Sequence, residues 1–199
     1  MFERDLKRML GYSSVAQLGY IVLGISLANS AGVTAAMIHF FNHALIKVAL
    51  FVAVAGMVLR FGSSNIEQLA GVGKRMPWTT LGFMLAGVSL IGVPLTAGFI
   101  SKWYLIQAVL ELGGLGILLT ILILVSSLMA VVYIWKVVEV AYFKEPVDGQ
   151  SMVGVREAPM PLLVVLWVLV LANVWFGIDP SIPIALAEQQ AAGFFGGAR

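Results

Sequence analysis

Two lysines lie inside strongly apolar stretches of this 199-residue chain. Lys47 lies within the run 37–58 (MIHFFNHALIKVALFVAVAGMV), and Lys102 follows the segment 92–98 (GVPLTAG) in another hydrophobic stretch. A charged side chain at membrane depth costs about 2.5–3.5 kcal/mol on insertion scales, and such residues commonly serve ion or proton movement. The two lysines are therefore the first candidates for chemistry, and that chemistry is proton transfer.

His39 and His43 precede Lys47 at four-residue spacing. On a helix this spacing stacks the three side chains on one face, with about 6 Å of rise between neighbours. Imidazole both gives and accepts protons near neutral pH, and a lysine removed from water can do the same. The pattern predicts a proton relay bridged by water. The alternative is structural: the histidines bond neighbouring helices and Lys47 pairs with a carboxylate.

Lys102 also has a structural alternative. It lies beside Trp103 and Tyr104, and such a cluster can be an interfacial anchor in which the lysine extends to the headgroups. Metal binding is not expected, because the two histidines lack a third ligand at metal-site spacing. We expect no cofactor, since the sequence has no glycine-rich phosphate loop and no hydrolase signature. Apolar quinone sites are too weakly patterned for the sequence to test.

The composition indicates an integral membrane protein. Hydrophobic residues make up 60% of the chain, charged residues 11%, and the mean hydropathy is +0.98, whereas soluble domains carry about 25% charged residues. A net charge of +2 gives no reason to expect nucleic acid. Zero cysteines exclude disulfides and thiolate metal sites.

The apolar runs predict an all-α, polytopic bundle that forms one transmembrane domain over residues 1–199. About 20 helical residues cross a bilayer, and runs of suitable length give about six helices, near 9–29, 33–59, 78–94, 96–112, 115–142 and 160–178. The third and fourth runs are short and lack a polar loop between them. They are either two crossings or one element broken at Val93-Pro94, because proline disrupts a helix interior.

Two polar loops and a tail complete the predicted topology. The loops are Arg60–Pro77 and Lys144–Pro159, and the mildly amphipathic tail 179–199 is expected to lie along the interface. With six crossings, the two loops lie on opposite sides of the membrane. The positive-inside rule then makes the side of the N-terminus and the first loop cytoplasmic.

Three motifs resemble the proton-conducting, antiporter-like family. They are the runs 5–20 (DLKRMLGYSSVAQLGY), 39–51 (HFFNHALIKVALF) and 92–104 (GVPLTAGFISKWY), in the family's order. This family includes the large A-type and D-type subunits of multisubunit sodium/proton antiporters and the pumping membrane subunits of respiratory complex I and related hydrogenases. The segment 99–104 (FISKWY) is most similar to the D-type antiporter subunits.

The resemblance implies the second half of a pair of inverted repeats, with one helix discontinuous near Pro94. It implies proton-transfer roles for Lys47 at the central position, His43 and His39 beside it, Lys102 at the terminal position and Lys7 at a shared basic position. Family members are much longer, and the first repeat is absent from this sequence. We therefore expect a fragment, or a split gene whose partner supplies the other repeat, in a bacterial or archaeal cell membrane.

The first hypothesis is the C-terminal half of a proton-translocating subunit of a monovalent cation/proton antiporter. The alternatives are a membrane-arm subunit of a complex I-like NADH-quinone oxidoreductase or membrane hydrogenase, and a structural fragment that conducts nothing. In each case the expected partners are the lipid bilayer and other membrane subunits, with protons and sodium as candidate ions and no redox or hydrolytic chemistry in this chain.

Overall fold

The chain folds as an all-α bundle in a computed structural model that describes residues 3–146 and 155–196. Part of the predicted second loop, 147–154, and the end of the tail, 197–199, lie outside the described residues. The helices are α1 (Leu6–Ser26), α2 (Ser30–Phe61), α3 (Val72–Arg75), α4 (Pro77–Ile91), α5 (Ala97–Leu110), α6 (Gly114–Phe143), α7 (Met160–Ile178) and α8 (Ser181–Gly196), with a 3-10 turn at Ile66–Leu69.

Helix ends follow local chemistry in the sequence. Asp5 precedes α1 and accepts a hydrogen bond from the backbone N–H of Arg8 at 3.0 Å, and Asn29 does the same for Gly32 at 2.8 Å. Both are side chains that favour helix N-caps. α2 ends at Gly62, whose φ of 73° lies in the left-handed region that glycine adopts without strain.

α2 is the central helix and contacts α1, α4, α5, α7 and α8. Its contact with α1 is close, because a Cβ added to Gly32 would lie 2.4 Å from the carbonyl oxygen of Gly24. Within residues 3–146 and 155–196, four helices are long and apolar enough to cross a membrane: α1, α2, α6 and α7. The predicted integral, multi-pass membrane protein with an all-α bundle is confirmed.

α4 and α5 together form one further crossing, broken at 92–96. Thr79 at the start of α4 lies near Gly56 in the second half of α2: a Cβ added to Gly56 would lie 3.5 Å from the Thr79 Cγ2 atom. Gly98 lies near Ile46, and Gln107 shares a cavity wall with Ser30 at the start of α2. The pair therefore runs antiparallel to α2 along its whole length, which decides between the two alternatives that the sequence left open.

This crossing count corrects the predicted placement of the loops. Arg60 Nε donates to the backbone oxygen of Glu157 at 3.0 Å, and the Glu157 carboxylate accepts from Trp78 N at 2.9 Å. The two loops therefore lie on the same side, and the expectation of opposite sides is wrong because α4 and α5 cross once. We call this the loop side; its basic residues are Arg4, Lys7, Arg8, Arg60, Lys74, Arg75, Lys136, Lys144 and Arg156.

The opposite end of the bundle carries two acidic residues directly after α5 and α7 and a third within α8. They are Glu111, Asp179 and Glu188. α8 begins there and packs against the first half of α2, with Ala187 and Ala191 buried. Its apolar Ile182 and Leu186 are exposed, and its predicted position along the membrane interface stays a prediction.

The positive-inside rule predicts that the loop side is cytoplasmic. Because the chain has no cysteine, a single introduced cysteine is the only thiol of this chain that a maleimide can label, and its labelling shows on which side of the membrane it lies. We expect Gln189→Cys to react with a membrane-impermeant maleimide in intact cells, and Glu67→Cys to react only after permeabilisation. The reverse pattern would contradict this orientation.

Candidate functional site

The three α2 side chains predicted to form a relay lie on the buried side of the helix. His39, His43 and Lys47 expose only 2%, 9% and 7% of their surface. The two imidazole rings are stacked, with centroids 6.1 Å apart and planes 7° apart. The four-residue spacing therefore gives the polar stripe that the sequence predicts, facing the interior of the bundle.

Neutral oxygens of α1 hold the Lys47 amine. Lys47 Nζ donates to the carbonyl oxygen of Leu10 and to Ser13 Oγ, both at 2.5 Å. Ser13 Oγ itself donates to the Leu10 oxygen at 2.9 Å. Within residues 3–146 and 155–196, no carboxylate pairs with this amine, so the structural alternative of an ion pair finds no support there.

Lys102 caps the broken helix. Side chains on a helix tilt toward its N-terminus, and Lys102 Nζ thereby reaches from α5 to the carbonyl oxygens of Leu90 at 3.0 Å and Ile91 at 2.7 Å. It also donates to Ser127 Oγ at 2.9 Å. The last carbonyls of a helix lack intrahelical donors and carry the negative end of its dipole, so the break creates a site for an ammonium group.

The burial of Lys102 excludes the interfacial-anchor alternative for its side chain. Only 6% of Lys102 is exposed, whereas 49% of the adjacent Trp103 is exposed. The lysine therefore points into the bundle while the indole points away from it.

Ser101 and Tyr20 connect the α2 stripe to Lys102. His39 Nδ1 and Ser101 Oγ are 2.9 Å apart, and Ser101 Oγ donates to the Gly98 oxygen at 3.1 Å. When the Ser101 hydroxyl donates to Gly98, His39 Nδ1 is the donor to Ser101 Oγ. The Tyr20 ring lies 5.3 Å from the His39 ring and 5.8 Å from Lys102 Nζ. The side chains form one polar row, which we define as Lys47, His43, His39, Ser101 and Lys102.

Three buried atoms along this row lack a hydrogen-bond partner in the described part of the protein. They are His39 Nε2, His43 Nδ1 and Asn42 Oδ1. Buried polar atoms are nearly always hydrogen-bonded to protein or to water. The row therefore has sites for water, or for polar groups of another chain, between the two lysines.

Three polar side chains hold the break in place, and the sequence did not single them out. Asn42 Nδ2 donates to the Ala97 oxygen at 2.7 Å, and Ser89 Oγ donates to Asn173 Oδ1 at 3.0 Å. Ser89 Oγ also accepts from Gly98 N at 3.2 Å. The available signal was a lone polar residue in an apolar span, which commonly indicates a bond between helices. Ser127 likewise lies in an apolar span and was not predicted as a site residue.

Lys7 lies apart from the row. It is exposed in the first turn of α1, on the loop side of the bundle. The structure thus brings together four of the five predicted site residues, and Lys7 is the exception.

Comparison with known proteins identifies the family. The model for the transmembrane subunits of NADH:quinone oxidoreductase and Mrp antiporters matches residues 1–130. The chain belongs to this antiporter-like family of membrane subunits. The family predicted from the three sequence motifs is confirmed.

Curated relatives and solved structures agree with this assignment. The chain is 43% identical to NADH-quinone oxidoreductase subunit N of Desulforudis audaxviator over 80% of the chain and 31% of the relative. It is 34% identical to subunit N 2 of Syntrophobacter fumaroxidans over 95% of the chain and 39% of the relative. The chain thus spans only a third to two fifths of the length of these relatives.

Two solved complexes contain chains of the same fold. A chain of the Mrp complex of Dietzia sp. DQ12-45-1b superposes with a TM-score of 0.88 at 22% identity, over 99% of this chain and 44% of that one. A chain of the membrane-bound sulfane sulfur reductase, an archaeal respiratory membrane complex, gives 0.79 at 32% identity, over 89% of this chain and 29% of that one.

The close contact between α4 and α5 leads to a stability prediction. A Cβ at Gly98 would lie 1.8 Å from the Ser89 oxygen, whereas a Cβ at Gly193 in α8 meets nothing within 4 Å. We expect Gly98→Ala to lower the free energy of unfolding by about 2 kcal/mol or more, and Gly193→Ala to leave it unchanged or raise it by up to about 1 kcal/mol. Thermal unfolding of the purified protein tests this, and a Gly98→Ala variant as stable as the parent would contradict the described geometry.

Proposed function

We propose that this chain is the second half of a proton-translocating membrane subunit, in which protons move along the polar row between Lys47 and Lys102. The supporting observation is that both amines are buried and held by neutral oxygens. A carboxylate in contact would favour the charged form of each lysine at all times. Neutral partners leave the charge on each amine free to change as a proton arrives or leaves.

In the proposed relay, a proton passes along the groups of the row in turn, from Lys47 to Lys102. An ammonium at Lys47 releases a proton toward His43, the stacked imidazoles pass a proton to His39, and His39 Nδ1–H is already directed at Ser101 Oγ. The neutral amine of Lys102 takes up the proton at the far end. One proton enters the row for each one that leaves. Water bound at the unpartnered nitrogens of His39 and His43 bridges the gaps between the side chains.

The broken helix determines where a proton rests. The carbonyl oxygens at the end of α4 surround Lys102 Nζ on one side, and the negative end of a helix dipole favours a cation. Lys47 meets no helix end, because Leu10 lies within α1. We therefore assign Lys102 as the site where the ammonium form is held and Lys47 as the site that donates.

Lys7 is proposed to act on the loop side, outside the row. The resemblance gives it a shared basic position, and its exposed place at the start of α1 suits an electrostatic role at the entrance. This assignment rests on the resemblance and not on a contact.

The names of the relatives support one candidate host complex. Curated relatives that match are named as subunit N of NADH-quinone oxidoreductases, which favours a membrane arm of an oxidoreductase over the D-type subunit of a sodium/proton antiporter. In either host, other membrane subunits would be partners. In an oxidoreductase, the electrons would be handled by those other subunits.

The test of proton transfer is substitution of Lys47 in the assembled complex, in vesicles that report proton uptake with a pH-sensitive dye. We expect Lys47→Met to lower transport per assembled complex at least tenfold, because methionine fills the space without carrying a proton. The control Val48→Met changes an adjacent side chain that is 49% exposed, and should leave the rate unchanged.

Two outcomes would favour the alternatives. Full transport by assembled Lys47→Met complexes would support a structural fragment that conducts nothing. Transport that requires sodium and proceeds without quinone reduction would assign the chain to the antiporter and remove the oxidoreductase host.

A further inference from the structure

A cleft of about 220 Å³ lies between α1 and α6, away from the row itself, and its partly apolar walls carry several polar groups. Its walls include Ser13 and Gln17 of α1, Ser126, Tyr133 and Lys136 of α6, and Glu3 before α1. A water molecule takes up about 30 Å³ in the liquid, so the cleft has room for several. Polar walls at membrane depth are stable only where protein or water covers them.

The cleft begins at the loop side and extends into the bundle. At its mouth, Lys136 Nζ donates to the Glu3 backbone oxygen at 3.1 Å. Gln17 lies 11 residues beyond the start of α1, or about 16 Å at 1.5 Å per residue. On α6, Ser126 lies about 15 Å from Lys136 by the same rise. The residues that line the cleft on the two helices therefore reach a similar depth.

Ser13 joins this cleft to the row. Its hydroxyl accepts a hydrogen bond from Lys47 Nζ at 2.5 Å. Ser13 is also one of the residues that line the cleft, with Tyr133 on the opposite wall. Lys47 is itself almost fully buried, since 7% of it is exposed. Ser13 is thus the single hydroxyl between the lysine and the cleft in the described part of the chain.

We propose that the α1–α6 cleft is the aqueous entry by which protons from the loop side reach Lys47, with Ser13 as the hydroxyl that passes them. This inference rests on the proposed function. In the step, a cleft water donates a proton to Ser13 Oγ while the Ser13 hydroxyl proton moves to the lone pair of a neutral Lys47 amine. Ser13 is regenerated, Lys47 becomes an ammonium group, and the water recovers its proton from solvent on the loop side.

Cysteine accessibility tests whether the cleft holds water. The chain contains no cysteine, and thiols react with methanethiosulfonates as thiolates, which form in water and not in lipid. Ser126→Cys places a thiol on the α6 wall and Ala16→Cys places one on the α1 wall. The matched controls, Val125→Cys and Val15→Cys, lie one residue away outside the cleft, where the valines are 50% and 67% exposed. The probe is a positively charged, membrane-impermeant methanethiosulfonate, applied to the assembled complex and read by the mass of this chain.

We expect both wall cysteines to react at least tenfold faster than their controls, and only from the loop side. Wall cysteines that react no faster than the controls, or that react from the opposite side, would overturn the proposal. Using two walls keeps the test decisive if one variant fails to assemble.

A transport measurement tests the role of the cleft in entry. Ala16→Leu narrows the cleft and should slow proton transport at least threefold, whereas Val15→Leu should leave it unchanged. Full transport by Ala16→Leu with labelling of Ser126→Cys abolished would overturn the entry role. Failure of the proposed relay can be distinguished from failure of the entry proposal. If the relay is wrong, Lys47→Met complexes transport protons at the full rate, whatever the cysteine labelling pattern.

Discussion

Two lysine amines are buried in this bundle, and the structure depends on how their burial is stabilised. A lysine side chain removed from water loses strong hydrogen bonds, and a buried charge persists only if other groups replace them. Here backbone carbonyls and serine hydroxyls do so: Leu10 and Ser13 at Lys47, and Leu90, Ile91 and Ser127 at Lys102. This choice of partners is what makes a change of charge possible, because no fixed negative charge is left behind when the proton departs.

The broken crossing is a consequence of the same requirement. A continuous helix uses its carbonyls internally and has few to spare, whereas the end of a helix leaves its last carbonyls unpaired. Ending α4 at Ile91 therefore supplies acceptors at membrane depth, and the backbone is strained at Leu95, whose φ of 70° is unfavourable for a non-glycine residue. Gly92, Gly98 and Gly177 permit the close approach of α4, α5 and α7 around the break. The Gly98 N–Ser89 Oγ bond joins the two sides of the break, and the Ser89–Asn173 bond joins α4 to α7.

Much of this arrangement could be predicted from the sequence because it depends on local patterns. The helix-period spacing of His39, His43 and Lys47 identified the buried stripe, and Pro94 indicated either a break or a turn between two crossings at this position. Other features depend on contacts between distant segments. Whether α4 and α5 cross once or twice is decided by their packing on α2, and this in turn places the loop 144–159. The roles of Ser127 and Asn173 likewise come from neighbours brought near by folding, since a single serine or asparagine in an apolar span carries no information about its partner.

The most direct test of a hydrated polar row is a structure of the assembled complex that shows ordered water. The account predicts water molecules hydrogen-bonded to His39 Nε2 and His43 Nδ1 that link Lys47 to Lys102. Apolar side chains packed against both nitrogens, with no water between the two amines, would contradict it.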